Sequence, residues 1–438
     1  MNAGKNFIMH TVITGFALFA TFFGAGNLIF PPAAGLLAGR EWGLALYGFA
    51  LSGALLPVLA VAAGVRAGEK EGGVASDMGK TFSILFTSVI TLCTSLLITV
   101  PRTAATAHEL GIVTIAGSSP QILTSCVYFL IVGYFSINPS TAMEKLAKYL
   151  TPVFLAIMVI IIAKGIFHPL GVPADTGVFG AFAFNFGFID GYQTLDVFAG
   201  LVVSGAIIAM ISTLRPDDRR AQALIAYGGA ALCGLGLLFA YGGLIYIGAT
   251  GSGMFDIGMG NVALLVALIN GLFKEYGSSA LAGIVIFACI TTAIGLTTGA
   301  SLFFSRVTQG KLPYRACVVA TCVVSASLST LGVDTIIHYA EPILVFIYPV
   351  AIVLVLLNVF RCRWMNRGTF LGAAYCTLVV GFTDMIAVMV EKEGFRIGGR
   401  ITYAIKALPL SALGLAWAVP AIICGILGTL CYRFKERN

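Results

Sequence analysis

Apolar runs of roughly 20 residues recur from Phe7 to Tyr432, separated by short clusters of charged and turn-forming residues. Each is long enough to cross about 30 Å of hydrocarbon as a helix, the element that satisfies its own backbone hydrogen bonds in lipid. Splitting the runs at those clusters predicts twelve spans, approximately 11–37, 42–65, 81–107, 121–137, 144–167, 177–212, 221–249, 278–305, 314–331, 335–360, 369–390 and 408–432. Spans 1 and 6 are longer than an untilted helix needs, so tilt or a break is expected in each. A soluble chain would need a charged coat of about a quarter of its residues. Here 10% are charged and 58% hydrophobic, with a mean hydropathy of +0.97. Soluble enzymes, nucleic-acid binders and disulfide scaffolds are excluded as first readings, and no barrel-like alternation is present. The expected fold class is an all-α membrane protein of about 12 transmembrane helices. No separate soluble domain is expected, the longest external segments, 250–277 and 391–407, being loop-sized.

The first run reads as a retained helix, because it contains a Gly- and Pro-rich interruption and lacks a small-residue cleavage site. The ten Cys show no metal-type spacing, and Cys93, Cys289 and Cys424 read as small buried hydrophobes. With the N-terminus in the cytoplasm, 18 Lys and Arg fall on that side. Seven fall on the other face: Arg40, Lys164, Lys274, Lys392, Arg396, Arg400 and Lys406. This bias predicts both termini in the cytoplasm. The net charge of +7 then reads as topology and contact with anionic lipid, and no nucleic-acid partner is expected.

Three interruptions carry the chemistry. Span 1 contains Phe22-Phe23-Gly24-Ala25-Gly26-Asn27-Leu28-Ile29-Phe30-Pro31-Pro32. Two glycines, an Asn and a Pro pair leave backbone groups without their usual partners, so such a break must face a polar cavity or another protein group. A Pro kink packed on small residues is the plain structural alternative. Span 6 repeats the theme over Asn185–Asp196, where Asp190 and Asp196 are costly near the bilayer centre unless they meet a cavity, a cation or a partner. If the chain is two repeats of five spans, span 6 is the counterpart of span 1, and the odd number inverts the second repeat. Broken helices at matched positions of an inverted repeat point to a transporter site near the midplane, with helix N-termini toward anionic groups and freed carbonyls toward a cation. Span 8 adds Thr291-Thr292 and Thr297-Thr298, hydroxyls suited to an all-oxygen sodium cage or simply bonded to their own helix.

Other polar residues read more plainly. Asp334, His338 and Glu341 share one face at the start of span 10 and form either a relay or an interfacial hydrogen-bond cluster. Asp384 takes a structural partner by default. Arg102, after Pro101, is expected to snorkel or to pair with an acid such as Glu109.

The sequence resembles the bacterial branched-chain amino acid:cation symporters, the BrnQ-type or LIVCS family of the amino acid-polyamine-cation superfamily. The resemblance is carried by Phe23–Pro32, Pro101-Arg102-Thr103-Ala104, Gly191-Tyr192-Gln193-Thr194-Leu195-Asp196 and Ala288–Leu296. Tyr348-Pro349, Leu408-Pro409-Leu410 and Gly414–Trp417 extend it over nearly the whole chain. It implies a leucine-transporter-like five-plus-five inverted repeat, with repeat one about 11–167, repeat two about 177–360 and peripheral helices about 369–432. It further implies sodium-coupled uptake of leucine, isoleucine and valine across the bacterial cytoplasmic membrane, with no cofactor beyond the coupling ion, no enzymatic activity and no obligate protein partner. The substrate carboxylate would meet the amides of Gly24, Ala25 and Gly26, with Asn27 bracing the break. The span 6 break would supply Phe188, Gly191, Tyr192 and Thr194, with Phe188 and Tyr192 as apolar walls. Sodium would be held by the carbonyls of Ala20 and Phe23 with Ala288, Thr291 and Thr292; Thr297 and Thr298 are the alternative register. Asp190 and Asp196 would either fix the broken helix or help bind a cation.

The sequence departs from the family pattern at Glu341, where an uncharged residue is expected before Pro342. A titrating carboxylate beside His338 would add proton coupling, which keeps a proton-coupled or broader neutral amino acid carrier as the alternative. An intramembrane enzyme would need a nucleophile–base set or metal cluster, which four scattered His do not supply. A channel would need a repeated filter or pore-lining rings, and none is visible.

Overall fold

The computed structural model describes residues 2–67, 73–138, 148–149, 151–215, 218–392, 403, 405 and 407–437. Outside them lie Lys70 and Lys145, two of the 18 basic residues expected on the cytoplasmic face, Arg396, Arg400 and Lys406 of the other face, the start of the fifth expected span and most of 391–407. The first half comprises α1 (Asn2–Phe22), α2 (Ala25–Ala38), α3 (Trp42–Phe49), α4 (Leu56–Ala67), α5 (Lys80–Leu92), α6 (Thr99–Thr106), α7 (Val113–Ala116), α8 (Gln121–Ser136) and α9 (Thr151–Phe167). The second comprises α10 (Ala181–Gln193), α11 (Asp196–Leu214), α12 (Arg219–Thr250), α13 (Asn261–Phe273), α14 (Gly277–Val307), α15 (Tyr314–Ser329), α16 (Val333–Val359), α17 (Arg367–Lys392) and α18 (Ala418–Arg437). Among the described residues, eight helical stretches are long and apolar enough to cross a membrane, and five shorter apolar helices accompany them.

Lipid tails are as apolar as leucine, so helices in a membrane are held by close packing and by hydrogen bonds between them. Small residues make that approach available. Gly368 and Gly372 of α17 lie against Gly428 and the Cys424 carbonyl of α18. The same seam carries a hydroxyl contact between Thr369 and Thr429 (2.6 Å) and a bond from Asn366 Nδ2 to Thr429 O (3.1 Å). On the opposite flank α12 runs past α1 and α2 together: Gly229 abuts Thr14 and Gly15 of α1, and Gly248 abuts the Pro32 backbone of α2. One long helix therefore buttresses both sides of the Phe23-Gly24 gap. Large apolar side chains such as Leu130, Tyr134, Val319 and Leu235 point outward, which is the proper surface for contact with acyl chains.

Two expectations about boundaries need correction. The last span was placed at 408–432, but its helix begins at Ala418. Residues before it turn twice, with Leu410 (φ 64°) and Gly414 (φ 73°) in the left-handed region, so Pro409 and Gly414 act as breakers rather than as parts of a helix. The segment 250–277, expected to be loop-sized, is not simply a loop. It folds into α13, whose Leu264, Leu265, Leu268 and Ile269 are buried against the body; the i, i+1, i+4, i+5 spacing is a one-sided helical stripe.

Candidate functional site

The α1 helix ends at Phe22 and α2 begins at Ala25. The Phe23 amide still donates to Phe19 O (2.8 Å), after which Gly24 turns into an extended conformation (φ −114°, ψ −157°). Four carbonyls at the end of α1 and four amides at the start of α2 lose intrahelical partners at such a junction. One of the neighbouring amides is rescued locally: Gly24 N–H donates to Asn27 Oδ1 (3.2 Å). Gly24 is needed here for space. A Cβ on it would lie 2.9 Å from Thr292 Oγ1 of α14.

The second interruption is between α10, which ends at Gln193, and α11, which starts at Asp196. Leu195 takes a left-handed conformation (φ 63°), costly for a branched residue at about 1–3 kcal/mol, and it is buried. The chain doubles back through Thr194 N–H to Gly191 O (3.4 Å), Leu195 N–H to Tyr192 O (3.0 Å) and Thr194 Oγ1 to Gly191 O (2.8 Å). Asp196 thus occupies the first turn of α11, where the helix dipole favours a negative charge.

A buried hydrogen-bonded triad joins the two interruptions. Asn27 Nδ2 donates to Asp196 Oδ2 (2.6 Å) and to the Tyr241 hydroxyl of α12, and that hydroxyl donates to the same Asp196 Oδ2 (2.8 Å). All three residues are nearly inaccessible to solvent. Polar groups buried this way strongly fix geometry, because leaving any member unpaired is costly. Beside the triad lies a narrow cavity of about 10 Å³, room for one water molecule, lined by Gly24, Ala25, Gly26, Asn27, Thr194 and Asp196, together with Thr21, Phe22, Thr99, Arg102, Leu195, Ala199, Thr292 and Leu296.

The cavity therefore gathers Gly24, Ala25, Gly26, Asn27, Thr194, Asp196 and Thr292 from the sequence reading. Phe188, Gly191 and Tyr192 do not line it. Phe188 and Tyr192 instead belong to an aromatic stack with Tyr348 and Phe198, the Tyr192 and Tyr348 centroids being 4.4 Å apart. The Tyr348 hydroxyl in turn accepts from Val197 N–H (3.3 Å), so this stack supports the start of α11. Gly191 is packed against Ser52. Apolar walls are provided by Phe22, Leu195, Ala199 and Leu296, which local sequence did not single out.

On the α14 side, Thr292 Oγ1 donates to Ala20 O (3.3 Å), bringing span 8 into direct contact with the end of α1. Thr291 Oγ1 donates to Ala288 O (2.9 Å). Thr297 and Thr298, further along the helix, are buried but do not line the cavity. Ala20 O, Ala288 O and the Thr291 and Thr292 hydroxyls are thus an oxygen-only set between the end of α1 and α14.

Arg102 is the residue most misjudged from sequence. It neither snorkels nor pairs with Glu109, whose Oε1 accepts from Val333 N–H (3.0 Å). It is 1% exposed and lines the cavity from α6, with its guanidinium 5.5 Å from the centroid of the Phe30 ring. Asp190 of α10 and Glu341 of α16 are half-buried on helices that touch one another, and neither lines the cavity.

With this geometry in place, the comparisons are specific. Residues 8–435 match the family model described as branched-chain amino acid transport protein. The chain belongs to that family. Its relatives include the branched-chain amino acid permease BraB of Bacillus subtilis, 32% identical over 429 residues, covering 96% of this chain and 95% of the relative. The permease BrnQ of Escherichia coli is 30% identical over 431 residues, covering 98% and 96%. These are transport proteins, not enzymes. Among solved structures, Mhp1, a nucleobase-cation-symport-1 family transporter closed around bromovinylhydantoin, superposes with a TM-score of 0.62 at 14% identity, covering 97% of this chain and 93% of that one. MhsT in complex with L-phenylalanine gives 0.57 at 12% identity, covering 95% and 98%. The branched-chain transport family member thus has the leucine-transporter-like fold, as the resemblance implied.

Proposed function

We propose that this chain is a secondary active symporter that imports leucine, isoleucine and valine with sodium across the bacterial cytoplasmic membrane by alternating access. In this reading the chain crosses twelve times with both termini cytoplasmic. Spans 1 and 6 are the broken helices of two inverted five-span repeats, and the last two spans are peripheral. The observation that carries the reading is the convergence of both interruptions and Thr292 of α14 on one buried cavity. Sodium would be held by the Ala20, Phe23 and Ala288 carbonyls with the Thr291 and Thr292 hydroxyls, where its charge would favour the approach of α14 to α1. The amino acid would bind beside Gly24–Asn27 and Thr194–Asp196, its side chain against Phe22, Leu195, Ala199 and Leu296. An apolar wall of that kind leaves a polar side chain unpaired and so disfavours it. Coupling follows if each ligand binds the closed arrangement better than the open one; a few kcal/mol of differential affinity shifts the population by orders of magnitude.

A second reading has one observation behind it. Asp190 of α10 and Glu341 of α16 lie on helices that touch one another, and these acids are the groups on which a coupling proton would reside. Leucine uptake into proteoliposomes under an imposed sodium gradient, and separately under a proton gradient at equal membrane potential, decides between them. Sodium-driven accumulation that disappears in Thr292→Ala supports the symporter and the α14 site. Accumulation driven only by protons moves coupling to the acids, and no leucine movement under either gradient rejects both.

A further inference from the structure

The α6 helix brings two residues with unsatisfied donors to the cavity. Arg102 is buried, yet its Nε and Nη1 atoms have no hydrogen-bond partner. One turn earlier, Thr99 also lines the cavity, and its Oγ1 likewise has none. A permanently charged guanidinium stripped of water and left without an acceptor is strongly disfavoured. The Phe30 ring provides only a weak cation–π contact. Among the described residues no ion pair joins Arg102 to Asp196, although both line the same cavity. Arg102 is also pressed against the start of α2, since a Cβ on Gly26 would lie 2.7 Å from its Nη2 atom. The guanidinium and the amide end of α2 therefore converge on one side of the cavity. The Asp196 carboxylate also lines the cavity, held on Oδ2 by Asn27 and Tyr241.

Two buried groups of opposite charge that share a cavity without touching are matched by one class of ligand. We propose that Arg102 and Asp196 grip the two ends of a zwitterionic α-amino acid, Arg102 taking the carboxylate and Asp196 the ammonium. This rests on the reading of the cavity as the substrate site and adds what selects the backbone of the substrate. The planar guanidinium presents parallel N–H donors that suit a carboxylate, and Thr99 Oγ1 and the first amides of α2 add further donors. A zwitterion satisfies both poles and brings no net charge into the membrane. An amine lacking the carboxylate leaves Arg102 unpaired, and a keto acid lacking the ammonium leaves Asp196 facing no cation. Discrimination against those analogues is therefore built into the site independently of the apolar wall. Arg102 is on this account a binding residue, and Gly26 is small so that Arg102 can reach the α2 terminus.

The test is equilibrium competition against labelled leucine on the purified full chain in saturating sodium, using leucine, leucinamide and 4-methyl-2-oxopentanoate. Wild type is expected to bind each analogue at least ~100-fold more weakly than leucine. In Arg102→Gln, leucine should weaken by about 100-fold while leucinamide changes less than threefold, so their ratio collapses. In Asp196→Asn, leucine should weaken while the keto acid does not. Because Arg102→Gln removes a buried group and can fail to fold, Arg102→Lys provides the second measurement. It keeps the charge but loses the planar pair of donors, and the leucine-to-leucinamide ratio should fall about tenfold. Leucine binding with that ratio unchanged in either Arg102 variant overturns the clamp alone. A wild type that binds leucinamide as tightly as leucine does the same. A wild type that binds none of the three ligands overturns the functional reading beneath it.

Discussion

Replacing Asn27 with Ala is the sharpest perturbation of the buried triad, because this one side chain serves three partners. It donates to Asp196 Oδ2 (2.6 Å) and to the Tyr241 hydroxyl, and it accepts from Gly24 N–H (3.2 Å). A hydrogen bond to a charged group contributes about 1.5–3 kcal/mol and a neutral one about 0.5–1.5 kcal/mol. Losing the bond to the carboxylate and the cap on Gly24 thus costs roughly 2–4.5 kcal/mol, the low end applying where water enters the vacated space. At 1.4 kcal/mol per decade this is a ~30- to 2,000-fold loss of the arrangement in which the two interruptions meet. The assay is initial-rate leucine uptake in proteoliposomes, normalised to inserted protein, with kcat/KM as the readout. Tyr241→Phe, which removes one hydroxyl from the same carboxylate, should fall less, by about 10- to 150-fold. The double variant should fall by less than the product of the two losses, since both act on one oxygen. Uptake by Asn27→Ala within threefold of wild type would refute the claim that this triad holds the site together.

Thr292→Val keeps the volume but removes the hydroxyl that reaches Ala20 O; the sodium concentration for half-maximal uptake should rise at least about tenfold, measured by a sodium titration at fixed leucine. Gly24→Ala places a methyl 2.9 Å from Thr292 Oγ1 and 3.0 Å from its Cγ2, so uptake should be lost by at least about tenfold, and adding Thr292→Ser, which removes Cγ2, should recover part of it. Glu341→Gln should leave the pH profile of leucine uptake unchanged if sodium alone is coupled; a flattened profile in the variant favours the proton-coupled reading. Arg361→Ala breaks a solvent-accessible bidentate pair with Asp77 (2.9 and 3.1 Å), and should change uptake less than twofold, as such pairs contribute about 0–1 kcal/mol.

The helical, membrane-type fold was readable because an apolar run of 20 residues has few other stable outcomes. The Gly24–Asn27 and Thr194–Asp196 neighbourhoods were also visible, since Gly, Asn and Asp are poor choices for a lipid-facing helix and therefore mark places where the backbone or a charge meets something polar. Thr291 and Thr292 are preferred over Thr297 and Thr298 in the sequence because they lie nearer the middle of the span, family spacing alone leaving the register open. The Phe188–Tyr192 wall was misread because an aromatic beside a break packs as readily on its own helices as on a ligand, and only the fold shows Tyr348 and Phe198 on the other side. Arg102 was misread for a related reason. Nothing in Pro101-Arg102-Thr103 tells which neighbour the helix face will meet, and pairing with a nearby acid in sequence is the default until the α2 terminus is seen beside it. The apolar residues that actually line the cavity, Leu195 and Leu296 among them, are indistinguishable in sequence from any other buried leucine. The last helix began ten residues late because Pro409 and Gly414 lie in a stretch whose hydropathy alone resembles a span.

The central claim is that the amino acid sits where the two interruptions meet. Cryo-electron microscopy of the protein in nanodiscs, with sodium and saturating leucine, tests it most directly. The account predicts leucine density bounded by Gly24–Asn27, Thr194–Asp196 and Arg102, with its aliphatic end toward Phe22 and Leu296. Density confined instead to the Tyr192–Tyr348 stack, with the cavity beside Asp196 unchanged, would contradict it.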